Sequence, residues 1–284
     1  MKLQHRQLRQ IIPPIVIELA KWLRDHLSKA PVEYIPEWPD ATRGWNVESI
    51  ADMHARNWPD YIMSLHKPSP LGVGQAPYVG RDVDPWDIIN HNNLISFAAV
   101  LGMAAQGRDR LSLLDWGGGI GHYGALAQAL MPELALDYYC QDMPRFCEVG
   151  RRNLPHAHFW SEPNACFTRR YDLVFAGSSL WYARDWREML GNLARATIRY
   201  CFMSRMIFVS RSPSFVAIQR PSAAHGYATE YPMWILNRDE FLATARSAGL
   251  ELVREFLIGY GPRIHRAPED GAFRGFLFRP LLNE

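Results

Sequence analysis

The chain has 284 residues, 48% hydrophobic and 21% charged, which describes an ordered globular protein with a full core. A formal net charge of +2 and the lack of a dense Lys/Arg block argue against a nucleic-acid partner. No run of 18 or more apolar residues occurs, so no transmembrane segment is expected; the start shows no signal-peptide pattern, and the expected location is the cytoplasm.

In chain order, "PPIVIELAKWLRDHLSKAP" (13–31) predicts a helix, with Pro14 in its first turn and Pro31 as its stop. Ile15, Leu19, Trp22, Leu23 and Leu27 share a face, and Lys2, Arg6, Arg9, Lys21 and Arg24 surround it with positive charge. Such a helix either packs on the main domain or makes a peripheral, in-plane membrane contact. Residues 31–90 are rich in Pro, Trp, Asp and Gly. They predict one helix at "VESIADMHARNWPDYIMSL" (47–65) and a loop at "KPSPLGVGQAPYVGRDVDPWD" (67–87), together a candidate cover for a ligand. A helix follows at "NNLISFAAVLGMAAQ" (92–106). Residues 1–95 thus form an N-terminal helical and loop extension, and 96–284 a second unit.

From residue 111, strand-length apolar runs alternate with helical stretches. The predicted strands are "LSLLDW", "LALDYYC", "AHFWS", "YDLVFAG", "MIFVSR", "LELVREFLI" and "GFLFRP". The predicted helices lie near 122–131, 143–153, 185–198 and 238–248. This alternation implies crossovers, a mostly parallel Rossmann-like α/β sheet and helices on both faces. No helix separates the last two strands, which favours an antiparallel pair there. Cys140, Cys147, Cys166 and Cys201 form no C-x-x-C pair, and His156 and His158 have no cysteine at zinc-finger spacing. Free thiols and no metal site are expected.

The stretch "LSLLDWGGGIGHYG" carries two fingerprints. Gly119, Gly121 and Gly124 spell G-x-G-x-x-G, the dinucleotide pattern. Asp115, Gly117, Gly119 and Gly121 spell D-x-G-x-G-x-G, the pattern of an S-adenosylmethionine (SAM) site. Both cofactors use glycines for close backbone approach, a helix N-terminus, and an acid on the next strand for ribose hydroxyls, here Asp142. Asp115 separates them: a carboxylate at the strand end suits an ammonium and a sulfonium and would repel a pyrophosphate. The helix-free last strand pair and the continuing sheet after residue 150 point the same way. The rivals are an NAD(P)-dependent oxidoreductase and a non-catalytic SAM-binding protein.

On these residues "LLDWGGGIGHYG" resembles motif I of class I SAM-dependent methyltransferases. With "IIPPIVIELAKWL", "YDLVFAGSSLWYARDW", "SRSP" and "YPMWILNRDEFLATARSAGLELV", the chain resembles a bacterial methyltransferase family often linked to surface-polysaccharide genes. The resemblance implies a seven-stranded sheet with an antiparallel last strand. It implies Gly117, Gly119 and Gly121 under the methionine part of SAM, Asp115 orienting that part, Asp142 on the ribose and Met143 over the adenine. It puts Ser161 or Glu162 at the adenine amine, and Ser178, Ser179, Leu180 and Trp181 facing the cofactor, although Trp181 and Tyr182 are equally readable as core aromatics. "ARDW" resembles the "HDW" of small-molecule O-methyltransferases, but Arg184 stands where those have a histidine base, and Arg stays protonated. The base candidates that remain are His225 and His91, while His122 borders the cofactor. The expected activity is SAM-dependent methyl transfer, at oxygen, to a small molecule or glycan.

Overall fold

The computed structural model describes residues 30–42, 44–72, 85–221 and 229–281. The helix predicted over 13–31, up to residue 29, and the base candidate His225 lie outside the described residues, as does most of the 67–87 loop.

The central sheet grows from five strands of apolar sequence: β2 (Arg110–Trp116), β3 (Ala135–Gln141), β4 (His158–Trp160), β5 (Tyr171–Gly177) and β6 (Thr197–Val209). They lie in the order β4-β3-β2-β5-β6, each parallel to its neighbour. Past β6, β10 (Ala272–Pro280) runs antiparallel and pairs in turn with β9 (Leu250–Tyr260). That part of the sheet has seven strands with an antiparallel last strand. The crossovers are α3 (His122–Leu130), α4 (Pro144–Asn153), α5 (Trp186–Arg195) and α6 (Arg238–Ser247). The chain leaves β2 toward β3 and later returns to β5 on the other side of β2. That reversal opens a crevice at the carboxyl end of β2, where ligands of open α/β sheets bind.

The sheet has ten strands in all, not the seven expected. Three extra strands, β1 (Val32–Ile35), β7 (Phe215–Gln219) and β8 (Tyr231–Asn237), form an antiparallel annexe. It joins β6 only where Phe208 and Val209 meet Leu236 and Asn237. Pro232 inside β8 and the Ser/Pro-rich flank of β7 hide these strands from a pattern reading. Arg220 ties the annexe together, donating to Glu33 at 2.9 Å and Glu230 at 2.8 Å. Strand β6 is also longer than "MIFVSR" suggests, because α5 stops at Arg195 and the polar residues of "TIRYCFMSR" continue the ladder.

The core lies on both faces of the sheet. One side packs Trp186, Phe208, Phe241 and Phe276 under α5 and α6. The other packs Phe97, Leu101, Phe175 and Phe202 under α2 (Pro85–Ala105) and α3. Each such side chain contributes about 1.5–3 kcal/mol of burial. By length and composition α2 could cross a membrane, but half of it is buried inside the protein, as in a core helix. It runs through position 95, so the predicted boundary falls within one helix. All four cysteines are free and buried, and no cluster of metal-ligating side chains occurs among the described residues.

Candidate active site

The chain leaves β2 at Trp116 and turns through Gly117–Gly121 into α3. Gly117 has φ +71°, and a Cβ on it would sit 2.4 Å from the Ser179 Cβ, so only glycine fits. Gly119 also has positive φ, but a Cβ there would meet nothing closer than the Phe146 ring at 4.0 Å. Its face is therefore open to a ligand. Gly124 serves packing: a Cβ would lie 2.7 Å from the Tyr138 ring. The third glycine of the dinucleotide fingerprint is thus a helix–strand contact.

Two carboxylates organise this floor. Asp142 follows β3 and accepts the Gly119 N–H and the Met143 N–H, both at 2.7 Å. Burial pushes it up to about 6, although both amides favour its charged form. Asp115, 1% exposed, lies beneath the loop and does not line an open surface. It accepts the Tyr138 O–H at 2.6 Å. Burial raises it to about 7 against that hydrogen bond, and the neighbouring Asp142 charge adds to the rise.

A roof closes over the loop. The hydroxyl of Tyr61 on α1 (Glu48–Leu65) donates to the His122 carbonyl at 2.6 Å. The rings of Tyr61, His54 and Trp58 surround the His122 ring at 4.7, 5.3 and 5.4 Å. Burial lowers His54 to about 4 and His122 to about 3, His54 adding to the latter, so both imidazoles are neutral at pH 7. Met143 packs into the same cluster beside Ile50, Ile120 and Phe146. On the annexe side Trp45 packs on Tyr231 at 4.3 Å and on Tyr182 at 5.3 Å, and the Tyr182 hydroxyl donates to Gln219 at 2.7 Å.

The other expected residues are distributed around this floor. The Ser179 hydroxyl donates to the Trp116 carbonyl at 2.7 Å, and the Ser178 hydroxyl to the Arg205 carbonyl at 3.2 Å. Both hydroxyls therefore brace the backbone. Ser161 is half-buried and Glu162 exposed after β4. Trp181 is buried, its ring N–H donating to the Ser178 carbonyl at 2.9 Å. His91 on α2 has its Nδ1 2.9 Å from the Leu71 carbonyl. Arg184 is exposed. His54, Trp58, Tyr61 and Tyr138 were not singled out from sequence; the one signal for them is aromatic density in the 31–90 stretch and on β3.

No protein-family model matches the chain, and no curated protein matches it. Among solved structures, one described as a sarcosine dimethylglycine methyltransferase from Galdieria sulphuraria superimposes with a TM-score of 0.50 at 13% identity, over 82% of this chain and 98% of that one. The fold is methyltransferase-like. The [4+2]-cyclase SpnF shares this methyltransferase-like fold at a TM-score of 0.51 and 12% identity, over 88% of this chain and 100% of its own. A Burkholderia thailandensis 1,6-didemethyltoxoflavin-N1-methyltransferase, solved with S-adenosylhomocysteine (SAH), aligns at a TM-score of 0.48 and 18% identity over 89% and 97% of the two chains. At such identities the likeness is one of fold.

Proposed function

We propose that the protein binds SAM over the Gly117–Gly121 loop and transfers its methyl group to a small-molecule or glycan acceptor, at oxygen. The observation that carries this reading is the pair of buried carboxylates around the loop. Both are held above their ordinary range by burial, so a cationic ligand end relieves an electrostatic cost there and a pyrophosphate increases it. The free lone pairs of Asp142 suit the ribose hydroxyls, Met143 covers the adenine, and Ser161 or Glu162 meets its amine. Residues 96–284 act as the SAM-binding unit and residues 1–95 as its cover. SAM supplies a methyl group already activated by a sulfonium, so positioning carries much of the work. The roof of His54, Trp58 and Tyr61 keeps water from the loop, and Ser178 and Ser179 fix the backbone beside it.

A hydroxyl acceptor still has to lose a proton. The Leu71 carbonyl fixes the His91 proton on Nδ1 and leaves Nε2 as an acceptor, which gives His91 the tautomer of a base; His225 is the second candidate. A second reading, a protein that holds SAM without methyl transfer, is favoured by Arg184 at the place of the histidine base. SpnF, with the same fold, is named a cyclase. Calorimetric titration of the purified protein with SAM and with NADH tests the proposal. SAM binding is expected; NADH binding without SAM binding overturns it. Formation of SAH with candidate glycans then separates a transferase from a binder.

A further inference from the structure

Arg205 is out of place in a strand. Strand β6 pairs Met203 with Phe276 and Met206 with Arg274, so Ser204 and Arg205 together stand opposite Gly275. This is a β-bulge, and such features recur beside active sites. Arg205 has φ +58°, a left-handed conformation that side chains with a Cβ rarely adopt and that proteins retain chiefly at functional positions. The bulge is pinned from β5. Ser178, itself at φ +57°, donates its amide to the Ser204 carbonyl at 2.8 Å and its hydroxyl to the Arg205 carbonyl at 3.2 Å. The strain therefore sits at the carboxyl end of β5, on the rim of the ligand crevice.

Around the bulge the polar groups form a directed chain. The Ser204 hydroxyl donates to Asn93 Oδ1 at 2.6 Å, and Asn93 Nδ2 donates to the Tyr123 hydroxyl at 2.5 Å. Tyr123 stands two residues after Gly121, in the first turn of α3. Its oxygen already accepts a hydrogen, so its own O–H is left to donate. The Arg205 charge acts on this phenol. Arg205 is half-buried as a residue, and its guanidinium has neither a hydrogen bond nor an ion pair among the described residues. Every other described arginine that is not exposed has a partner. Arg145 holds Asp52, Arg199 the Ala104 carbonyl, Arg220 holds Glu33, and Arg238 and Arg274 share Glu255. A half-buried arginine with no partner keeps its whole donor fork free for a group from outside. A strained backbone that holds it so, beside a second free donor, is what a site for an external anion requires.

We propose that Arg205 and Tyr123 form a carboxylate-binding subsite beside the glycine loop. Two sources carry that group: the methionine end of SAM, or an acidic acceptor. The first rests on the SAM reading and completes its electrostatics, because the carboxylates of the floor favour the positive groups of the ligand and leave its carboxylate in need of a cation. The second would make Arg205 a selector of acidic acceptors.

The full chain and its Arg205→Met, Arg205→Lys and Arg205→Gly variants are titrated by calorimetry with SAH and with 5′-methylthioadenosine, which lacks the carboxylate and the ammonium. Acetate is titrated by NMR into each protein, with and without SAH. If the cofactor supplies the group, Arg205→Met weakens SAH at least tenfold, leaves 5′-methylthioadenosine unchanged, and Arg205→Lys recovers part of the loss. If the acceptor supplies it, SAH affinity is unchanged and the SAH-loaded wild type binds acetate while Arg205→Met does not. Arg205→Gly suits the positive φ and reproduces the loss in a strain-free background, should the Met variant fold poorly. Equal binding of SAH and of acetate by the wild type and the Met and Gly variants overturns the subsite. If neither nucleoside binds the wild type, the SAM reading fails, and acetate binding to the ligand-free proteins decides the subsite alone.

Discussion

The floor and the roof of the site are built by opposite means. The floor is glycine backbone and two carboxylates, with Asp142 bridging the amides of Gly119 and Met143. The roof is the aromatic face of α1, with His54, Trp58 and Tyr61 around His122. The floor lies within 28 residues of sequence, from Asp115 to Asp142, whereas Tyr61 reaches a carbonyl 61 residues away. Under the proposed function the two have separate tasks: the floor would set the charge and shape of the ligand, and the roof its exclusion from water. Substitutions in the floor should therefore strike binding or folding hard, while those in the roof should lower stability by degrees and leave binding largely intact.

The largest effect is expected at Gly117→Ala. The new methyl group overlaps Ser179 and the residue keeps φ +71°, so thermal or denaturant unfolding should show a loss of about 3 kcal/mol, from overpacking and backbone strain together. Next is Asp142→Ala, which leaves two backbone amides without their acceptor. SAM affinity should fall by about 1.5–3 kcal/mol in calorimetry, roughly ten- to a hundredfold; unchanged affinity would place the ribose acid elsewhere. The roof comes third. Tyr61→Phe removes one hydrogen bond and keeps the ring, so stability should drop by about 1 kcal/mol with SAM affinity nearly unchanged. A loss of affinity as large as that of Asp142→Ala would mean that the roof, too, defines the ligand.

The same contrast explains what the sequence disclosed. The apolar runs "LSLLDW" and "YDLVFAG" locate β2 and β5 almost to the residue, because a buried parallel strand needs continuous apolar sequence. The glycine loop and Asp142 follow from local chemistry in the same way. Strands β1, β7 and β8 were not legible, since β1 pairs with β7 from the far end of the chain, Ile35 opposite Val216, and Pro232 breaks the pattern of β8. Asp115 was identified as a residue, but its place beneath the loop depends on Tyr138, whose hydroxyl holds it from the neighbouring strand. The α1 helix was predicted, yet nothing in its own periodicity says that its aromatic face will meet His122.

The pH dependence of SAM binding tests the central claim most directly. Burial raises Asp115 to about 7 and Asp142 to about 6, so both carry protons in part below neutrality. A cationic ligand favours their charged forms and expels those protons. Calorimetry in buffers of different ionisation enthalpy, from pH 5 to 8, should show SAM affinity rising with pH and protons released on binding below pH 7. Asp115→Asn should reduce that release. Affinity that is flat or falls as pH rises, or protons taken up on binding, would contradict the assignment of the glycine loop to a cationic methyl donor.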